Sequence, residues 1–118
     1  MRKVCVVVTA RASYSRIKSA LTAIRDSADL ELHLLIGASA LLTRFGDTRE
    51  HIRKDGFSIE AEVHFILEGE TPTTAAKSTG LGIIELATLF SNIRPDVVVS
   101  VADRFETIAT AIAASYTN

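Results

Sequence analysis

Cysteine, long apolar runs and an excess of one charge are all scarce in this chain, and each scarcity excludes a class of protein. Cys5 is the only cysteine among 118 residues, so no internal disulfide can form. The net charge of −1 gives no field that attracts nucleic acid or an acidic membrane surface. No apolar run approaches the roughly 20 residues that span a bilayer. We therefore expect neither a nucleic-acid partner nor a membrane span.

The amino terminus also lacks the features of a secretion signal. The charged start, Met1–Lys3, precedes a short β-branched run, Val4–Val8, and no small-residue cleavage site follows. We therefore expect a cytoplasmic protein. With 47% apolar and 23% charged residues, the chain has the composition and size of one small globular domain.

Strand and helix patterns alternate along the chain. Apolar runs predict strands at residues 3–9, 30–36, 58–67 and 96–102. Helical spacing of apolar residues predicts helices at about 17–27, 47–54, 74–93 and 105–116, with a short helix near 41–44. This alternation predicts an α/β fold with an open parallel sheet, covered by helices on both faces, in the usual order 3-2-1-4.

Two further predictions concern the second half of the chain. Gly80 and Gly82 each cost about 1 kcal/mol relative to alanine, so we predict a break near 78–80 and a helix proper from about Leu81. Ser78 and Thr79 would then cap that helix or receive a ligand oxygen. The fourth strand has no following strand to pair with, so we expect bare apolar surface beside it and a homo-oligomer that covers this surface.

The loop after the first strand carries a candidate phosphate-binding residue. Residues 9–14 contain no glycine, so the G-x-G-x-x-G turn of dinucleotide-binding folds is missing. Arg11 instead lies near the start of a helix that Ser13 or Ser15 is predicted to cap, where a guanidinium and backbone N–H groups together suit a phosphate. The pattern is equally compatible with a solvated arginine.

Asp103 follows the fourth strand directly and is the leading candidate for a catalytic residue. Ligands bind beyond the carboxyl ends of the strands in open α/β sheets, and this strand would neighbour the one that leads to Arg11. An acidic cap of the last helix, with Arg104 and Glu106 in its first turn, explains Asp103 without a function. Both interpretations stay open on the pattern alone.

Metal and nucleophile chemistry find little support in the sequence. The three histidines, His33, His51 and His64, show no ligand spacing. No Ser-His-Asp or Cys-His arrangement can be assembled from them. Cys5 lies inside an apolar strand and is expected to pack as a small hydrophobic residue. We expect no metal and no cofactor.

Several segments, taken together, carry a family resemblance. They are RASY at 11–14, GASALL at 37–42, FGDT at 45–48, DGF at 55–57, KSTGLG at 77–82 and PDVVVSVADRFET at 95–107. The KSTGLG and DRFE pieces are the most specific, since neither is a general feature of nucleotide-binding folds. Over nearly its whole length the chain resembles the N-terminal part of a UDP-N-acetylglucosamine 2-epimerase, most closely the hydrolysing branch.

The resemblance implies a Rossmann-like domain that is the N-terminal half of a glycosyltransferase-B type fold, truncated so that the UDP-binding C-terminal domain is absent from residues 1–118. It implies conversion of UDP-N-acetylglucosamine and water to N-acetylmannosamine and UDP, for sialic acid or related sugar synthesis, by elimination of UDP and addition of water. By resemblance, Asp103 matches the family's acid/base aspartate and Arg11 the arginine near the diphosphate. The other residues expected to bind the UDP-sugar are Ser78, Thr79, Arg104 and Glu106.

Two departures from the family pattern leave the substrate open. Ser13 stands where many hydrolysing members carry aspartate, and Ala38-Ser39 where they carry a Met-His pair. A variant UDP-sugar is therefore an alternative. Because the UDP-binding C-terminal domain is absent from residues 1–118, we also expect this chain to be inactive alone. A nucleotide-sugar or partner-binding module without catalysis is the competing interpretation. A receiver-type domain is disfavoured, because no acidic cluster follows the first strand.

Overall fold

Four parallel strands form a sheet in the order β3-β2-β1-β4, which confirms the predicted order and direction. The computed structural model describes residues 1–37, 48–64, 71–101 and 106–117. In chain order the elements are β1 (Arg2–Val8), α1 (Arg11–Asp26), β2 (Leu30–Gly37), α2 (Thr48–Lys54), β3 (Ala61–Val63), α3 (Pro72–Ile93), β4 (Val97–Ser100) and α4 (Glu106–Thr117).

β1 is an inner strand with a neighbour on each side. It pairs with β2 along all 7 of its residues, and its Val4–Val7 segment pairs with β4. From Val4 to Val8 every side chain is buried, because helices cover both faces of the sheet. A continuous β-branched run is the expected sequence of such a strand.

Alternate side chains of β1 enter two separate cores. The core on the α1 and α2 side contains Val4, Val6, Val8, Tyr14, Leu21, Leu34 and Ile52. The core on the α3 and α4 side contains Cys5, Val7, Leu35, Leu86, Phe90, Ala109 and Ala113. Helices on both faces are thus confirmed. The prediction that Cys5 packs as a hydrophobic residue is also confirmed, and burial raises the pKa of its thiol to about 12.

Helix α3 is continuous and begins earlier than predicted. Thr71 and Thr74 form a capping box, with Thr71 Oγ1 accepting from the Thr74 N–H at 3.1 Å and Thr74 Oγ1 accepting from the Thr71 N–H at 2.9 Å. Pro72 occupies the first helical position, which its fixed φ suits. The predicted break near 78–80 and the start at about Leu81 are therefore wrong. Strong capping at the start offsets the cost of glycines in the interior.

Lys3 fixes the turn that leads from α3 into β4. Arg94 ends the helix in the left-handed region (φ 56°), and its N–H donates to the Phe90 carbonyl at 2.8 Å. The Lys3 ammonium donates to the Ile93 carbonyl at 3.1 Å, and the Lys3 N–H donates to Asp96 Oδ2 at 2.7 Å. The Asp96 N–H returns to the Lys3 carbonyl at 2.9 Å. These bonds dock the start of β4 onto β1.

Other predicted element limits differ from the observed ones by several residues: α1 begins at Arg11 rather than at about 17, and β3 begins at Ala61 rather than at 58. β3 lies at a sheet edge, as the predicted strand order implies, and α2 ends at Lys54, followed by a turn at Asp55 and Gly56, with Gly56 at φ 88°. The predicted helix near 41–44 and the end of the third predicted strand fall outside the described residues. Val97 and Ile108 are 40% and 54% exposed, which confirms bare apolar surface beside β4 and α4. None of the described helices is both long and apolar enough to cross a membrane.

Alanine at two glycines is expected to change stability in opposite directions. A Cβ added at Gly80 meets no atom within 4 Å, so Gly80→Ala should raise the free energy of unfolding by about 0.5–1 kcal/mol. At Gly56 the φ is +88° and the Cβ would lie 3.3 Å from Arg25 Nη1, so Gly56→Ala should lower it by about 1 kcal/mol or more. Urea denaturation measures both, and a less stable Gly80→Ala protein would contradict a continuous α3.

Candidate functional site

The carboxyl ends of β1 and β4 lie side by side, and the chain leaves them toward opposite faces of the sheet. Val7 of β1 is in register with Ser100 of β4. The helix that follows β1 packs in one core, and the helix that follows β4 packs in the other. Helices that diverge in this way open a crevice at the strand ends, where open α/β sheets bind ligands. The candidate site is the crevice at the carboxyl ends of β1 and β4.

Helix α1 begins at the carboxyl end of β1, and its cap residue makes no side-chain hydrogen bond to the first-turn N–H groups. Ala10 is the cap residue in extended backbone, and the first turn contains no acidic residue. The predicted caps Ser13 and Ser15 are wrong, because the helix already begins at Arg11 and Ser13 is buried within the first turn. The N–H groups at such a terminus carry partial positive charge that favours an anion.

The structure places the other predicted residues unevenly. Arg11 is the first residue of α1 and Glu106 the first residue of α4, so the helix starts that carry them follow neighbouring strands. Asp103 and Arg104 fall within 102–105, outside the described residues. The catalytic role of Asp103 and the binding roles of the other three therefore stay predictions.

Ser78 and Thr79 lie inside α3 and cap no helix. Ser78 is 1% exposed, and the Thr79 hydroxyl donates to the Ala75 carbonyl of the preceding turn at 2.8 Å. They lie about 9–10 Å along the helix from its start at Pro72. The capping interpretation is wrong for both, and their proposed contact with substrate stays a prediction.

Buried hydroxyls along β4 and α4 are polar groups that the sequence did not reveal. Ser100 Oγ, Thr107 Oγ1 and Thr110 Oγ1 are buried, and within the described part of the chain they have no hydrogen-bond partner. Ser100 ends β4 and Thr107 lies in the first turn of α4. Buried hydroxyls normally have a hydrogen-bond partner. These three groups can therefore still donate or accept a hydrogen bond near the β4 side of the crevice. Threonine in a helix carries no signal of this in the sequence.

A second polar cluster, formed by Tyr14, Lys18 and Asp55, joins α1 to the turn after α2. The Tyr14 hydroxyl donates to Asp55 Oδ2 at 2.5 Å, and Lys18 Nζ lies 3.1 Å from Asp55 Oδ1. The Tyr14 ring is 4% exposed and meets Phe57 edge-on. The Tyr14 and Lys18 hydrogen bonds lower the pKa of Asp55, while burial and the carboxylate raise the pKa of Tyr14. Asp55 is therefore an ionised acceptor and Tyr14 a neutral donor.

His33 of β2 lies between two carboxylates, one from Glu31 on the same strand and one from Glu60, the residue before β3. Its Nδ1 is 2.6 Å from Glu60 Oε1, and its Nε2 is 2.6 Å from Glu31 Oε2. Burial alone lowers the pKa of His33, but the hydrogen bonds to Glu31 and Glu60 outweigh it and raise the pKa above 6.5. With both ring nitrogens engaged, His33 links β2 to the residue that precedes β3.

The His33 link is expected to make stability depend on pH in the neutral range. A raised folded-state pKa gives a stabilisation that is complete below about pH 6.5 and is lost as the pH rises through the folded-state pKa. Urea denaturation of the unmodified protein should show this fall, and His33→Gln should remove it. His64→Gln, at a side chain 72% exposed, is the matched control and should retain it. A pH profile unchanged by His33→Gln would contradict the link.

Comparison with known proteins identifies the class. The fold is that of a Rossmann-like domain of the glycosyltransferase-B type, and a crystal structure of UDP-GlcNAc 2-epimerase from Neisseria meningitidis bound to UDP-GlcNAc superposes with a TM-score of 0.79. The superposition covers 97% of this chain and 29% of that chain at 16% identity, so it supports the fold alone.

Sequence comparison gives the family. A sequence model described as UDP-N-acetylglucosamine 2-epimerase matches residues 22–118. The chain is 30% identical over all 118 residues to the UDP-N,N'-diacetylbacillosamine 2-epimerase (hydrolyzing) of Legionella pneumophila, and covers 31% of it. It is 28% identical over 93% of its length to the GDP/UDP-N,N'-diacetylbacillosamine 2-epimerase (hydrolyzing) of Campylobacter jejuni, and covers 28% of it. The chain belongs to the UDP-N-acetylglucosamine 2-epimerase family and spans under a third of these relatives.

Proposed function

We propose that residues 1–118 form part of the N-terminal domain of a hydrolysing UDP-sugar 2-epimerase, whose UDP-binding second domain lies outside this chain. The reaction converts UDP-N-acetylglucosamine and water to N-acetylmannosamine and UDP. The observation that carries the proposal is the pairing of β1 with β4. Because of this pairing, the strands that lead to Arg11 and Asp103 end side by side.

The proposed reaction assigns separate tasks to the two sides of the crevice. The proton on C2 of the sugar is weakly acidic, so the bond from C1 to the diphosphate must break before or while that proton leaves. Arg11 and the amino terminus of α1 stabilise the charge that develops on the departing UDP. Asp103 takes the C2 proton, and water then adds across the resulting double bond with inversion at C2. Contacts to the rest of the UDP-sugar are assigned to Ser78, Thr79, Arg104 and Glu106.

A second UDP-sugar is a candidate substrate. The Legionella relative is named for UDP-N,N'-diacetylbacillosamine, and the Campylobacter relative for GDP/UDP-N,N'-diacetylbacillosamine. The departures from the hydrolysing pattern at Ser13 and at Ala38-Ser39 also favour a variant sugar. Direct comparison of kcat/KM for the two UDP-sugars decides between them.

The catalytic role is tested by UDP release. This chain, joined to the remainder of a family member so that the N-terminal domain is completed and the C-terminal domain is added, should release UDP from one of the two UDP-sugars. Asp103→Asn should reduce kcat by about 10²–10⁴-fold, because a positioned acid/base group contributes that much. Asp29→Asn, an exposed aspartate just before β2, is the matched control and should leave kcat unchanged.

Each result of that assay has a distinct meaning. Full activity of Asp103→Asn would reject its role as acid/base group. Binding of the UDP-sugar without any release of UDP by the unmodified protein would favour a nucleotide-sugar-binding module over an enzyme.

We further propose that the protein self-associates through apolar surface beside β4 and α4. Val97 and Ile108 are exposed there, and β4 is an edge strand of the described sheet. Light scattering at high protein concentration should give a mass above 12.7 kDa, the mass of one chain. A monodisperse monomer would contradict this.

A cytoplasmic location also stays a prediction.

A further inference from the structure

Tyr14 shares the first turn of α1 with Arg11. The Tyr14 N–H donates to the carbonyl of Ala10, the cap residue, at 3.3 Å. Ala10, Arg11 and Tyr14 therefore belong to one hydrogen-bonded turn. A movement of Tyr14 toward or away from α2 must also move the backbone of Arg11 and the N–H groups beside it.

Asp55, the partner of Tyr14, is itself held in place. The Asp55 N–H donates to the His51 carbonyl at 3.1 Å, which continues the bonding of α2 by one residue. The Gly56 N–H then donates to the Arg53 carbonyl at 3.0 Å, with Gly56 in the left-handed region. The acceptor that Tyr14 meets is thus part of a closed turn with little freedom to follow α1.

Helix α1 contacts the same turn a second time, near its carboxyl end. Arg25 Nη1 donates to the Asp55 carbonyl at 3.4 Å, and the Arg25 guanidinium lies 4.7 Å over the Phe57 ring. Tyr14 and Arg25 are separated by roughly 16 Å along the helix axis. Two attachments at different heights fix both the tilt and the rotation of α1.

We infer that Tyr14 is a positioning residue, held by Asp55, which sets the position of the Arg11 backbone and the direction of the first-turn N–H groups of α1 at the crevice. This inference rests on the proposed role of Arg11 at the diphosphate. Tyr14 and Asp55 are 41 positions apart in the sequence, so their bond is a tertiary constraint that the local bonding of α1 cannot replace. Lys18 is half exposed and neutralises Asp55, while the direct bond to the first turn comes from Tyr14.

Pyrophosphate affinity tests the inference in this chain. Titration followed by the backbone amide signals of Ala10–Ser13 gives the dissociation constant. Tyr14→Phe keeps the ring against Phe57 but removes the hydroxyl, and should weaken binding by roughly three- to tenfold, the range expected for loss of one orienting hydrogen bond. Asp55→Asn retains an oxygen that accepts from Tyr14 and should bind within about twofold of the unmodified chain. Asp55→Ala should weaken binding as much as Tyr14→Phe does.

A stability control separates positioning from general loosening. Ile52→Val shortens a fully buried side chain of α2 in the same core, so it lowers the melting temperature while the Tyr14–Asp55 bond stays. All variants are titrated at a temperature where circular dichroism shows them folded. Unchanged affinity in Tyr14→Phe, or equal weakening in Ile52→Val, would overturn the inference. Absence of pyrophosphate binding by the unmodified chain would overturn the role of Arg11 itself.

Discussion

Burial of β1 on both faces is the constraint on which the rest of the structure depends. An apolar strand of this kind is stable only when helices cover both faces and strands cover both edges. β2 and β4 supply the two neighbouring strands, and the bonds between Lys3 and Asp96 set where β4 docks. Two cores of alternate side chains then hold α1 and α4 on opposite sides.

The candidate site is a direct consequence of that packing. Because α1 and α4 follow neighbouring strands and pack on opposite faces of the sheet, their amino termini flank one crevice. A helix terminus whose cap residue, Ala10, makes no side-chain bond suits an anion better than one that an acidic side chain already neutralises.

The strands and the two helix-covered faces could be predicted from the sequence, because β-branched runs and helical spacing are local signals. The strand order followed from the usual arrangement of open α/β sheets. The start of α3 was not predicted, because the glycines at 80 and 82 favoured a break and the capping box at Thr71 and Thr74 was not recognised. The predicted cap of α1 is also wrong, because the cap residue is Ala10, which makes no side-chain hydrogen bond. Contact between Tyr14 and Asp55 depends on how α1 is rotated against α2, and periodicity gives the buried face without that rotation.

We propose that the diphosphate of a UDP-sugar binds at the carboxyl ends of β1 and β4. A crystal structure of this chain joined to the remainder of a family member, with UDP bound, tests this proposal. We expect diphosphate oxygens within hydrogen-bond distance, about 3 Å, of the Arg11 guanidinium or the first-turn N–H groups of α1. A diphosphate bound at the opposite edge of the sheet, beside Asp29 and Asp96, would contradict it.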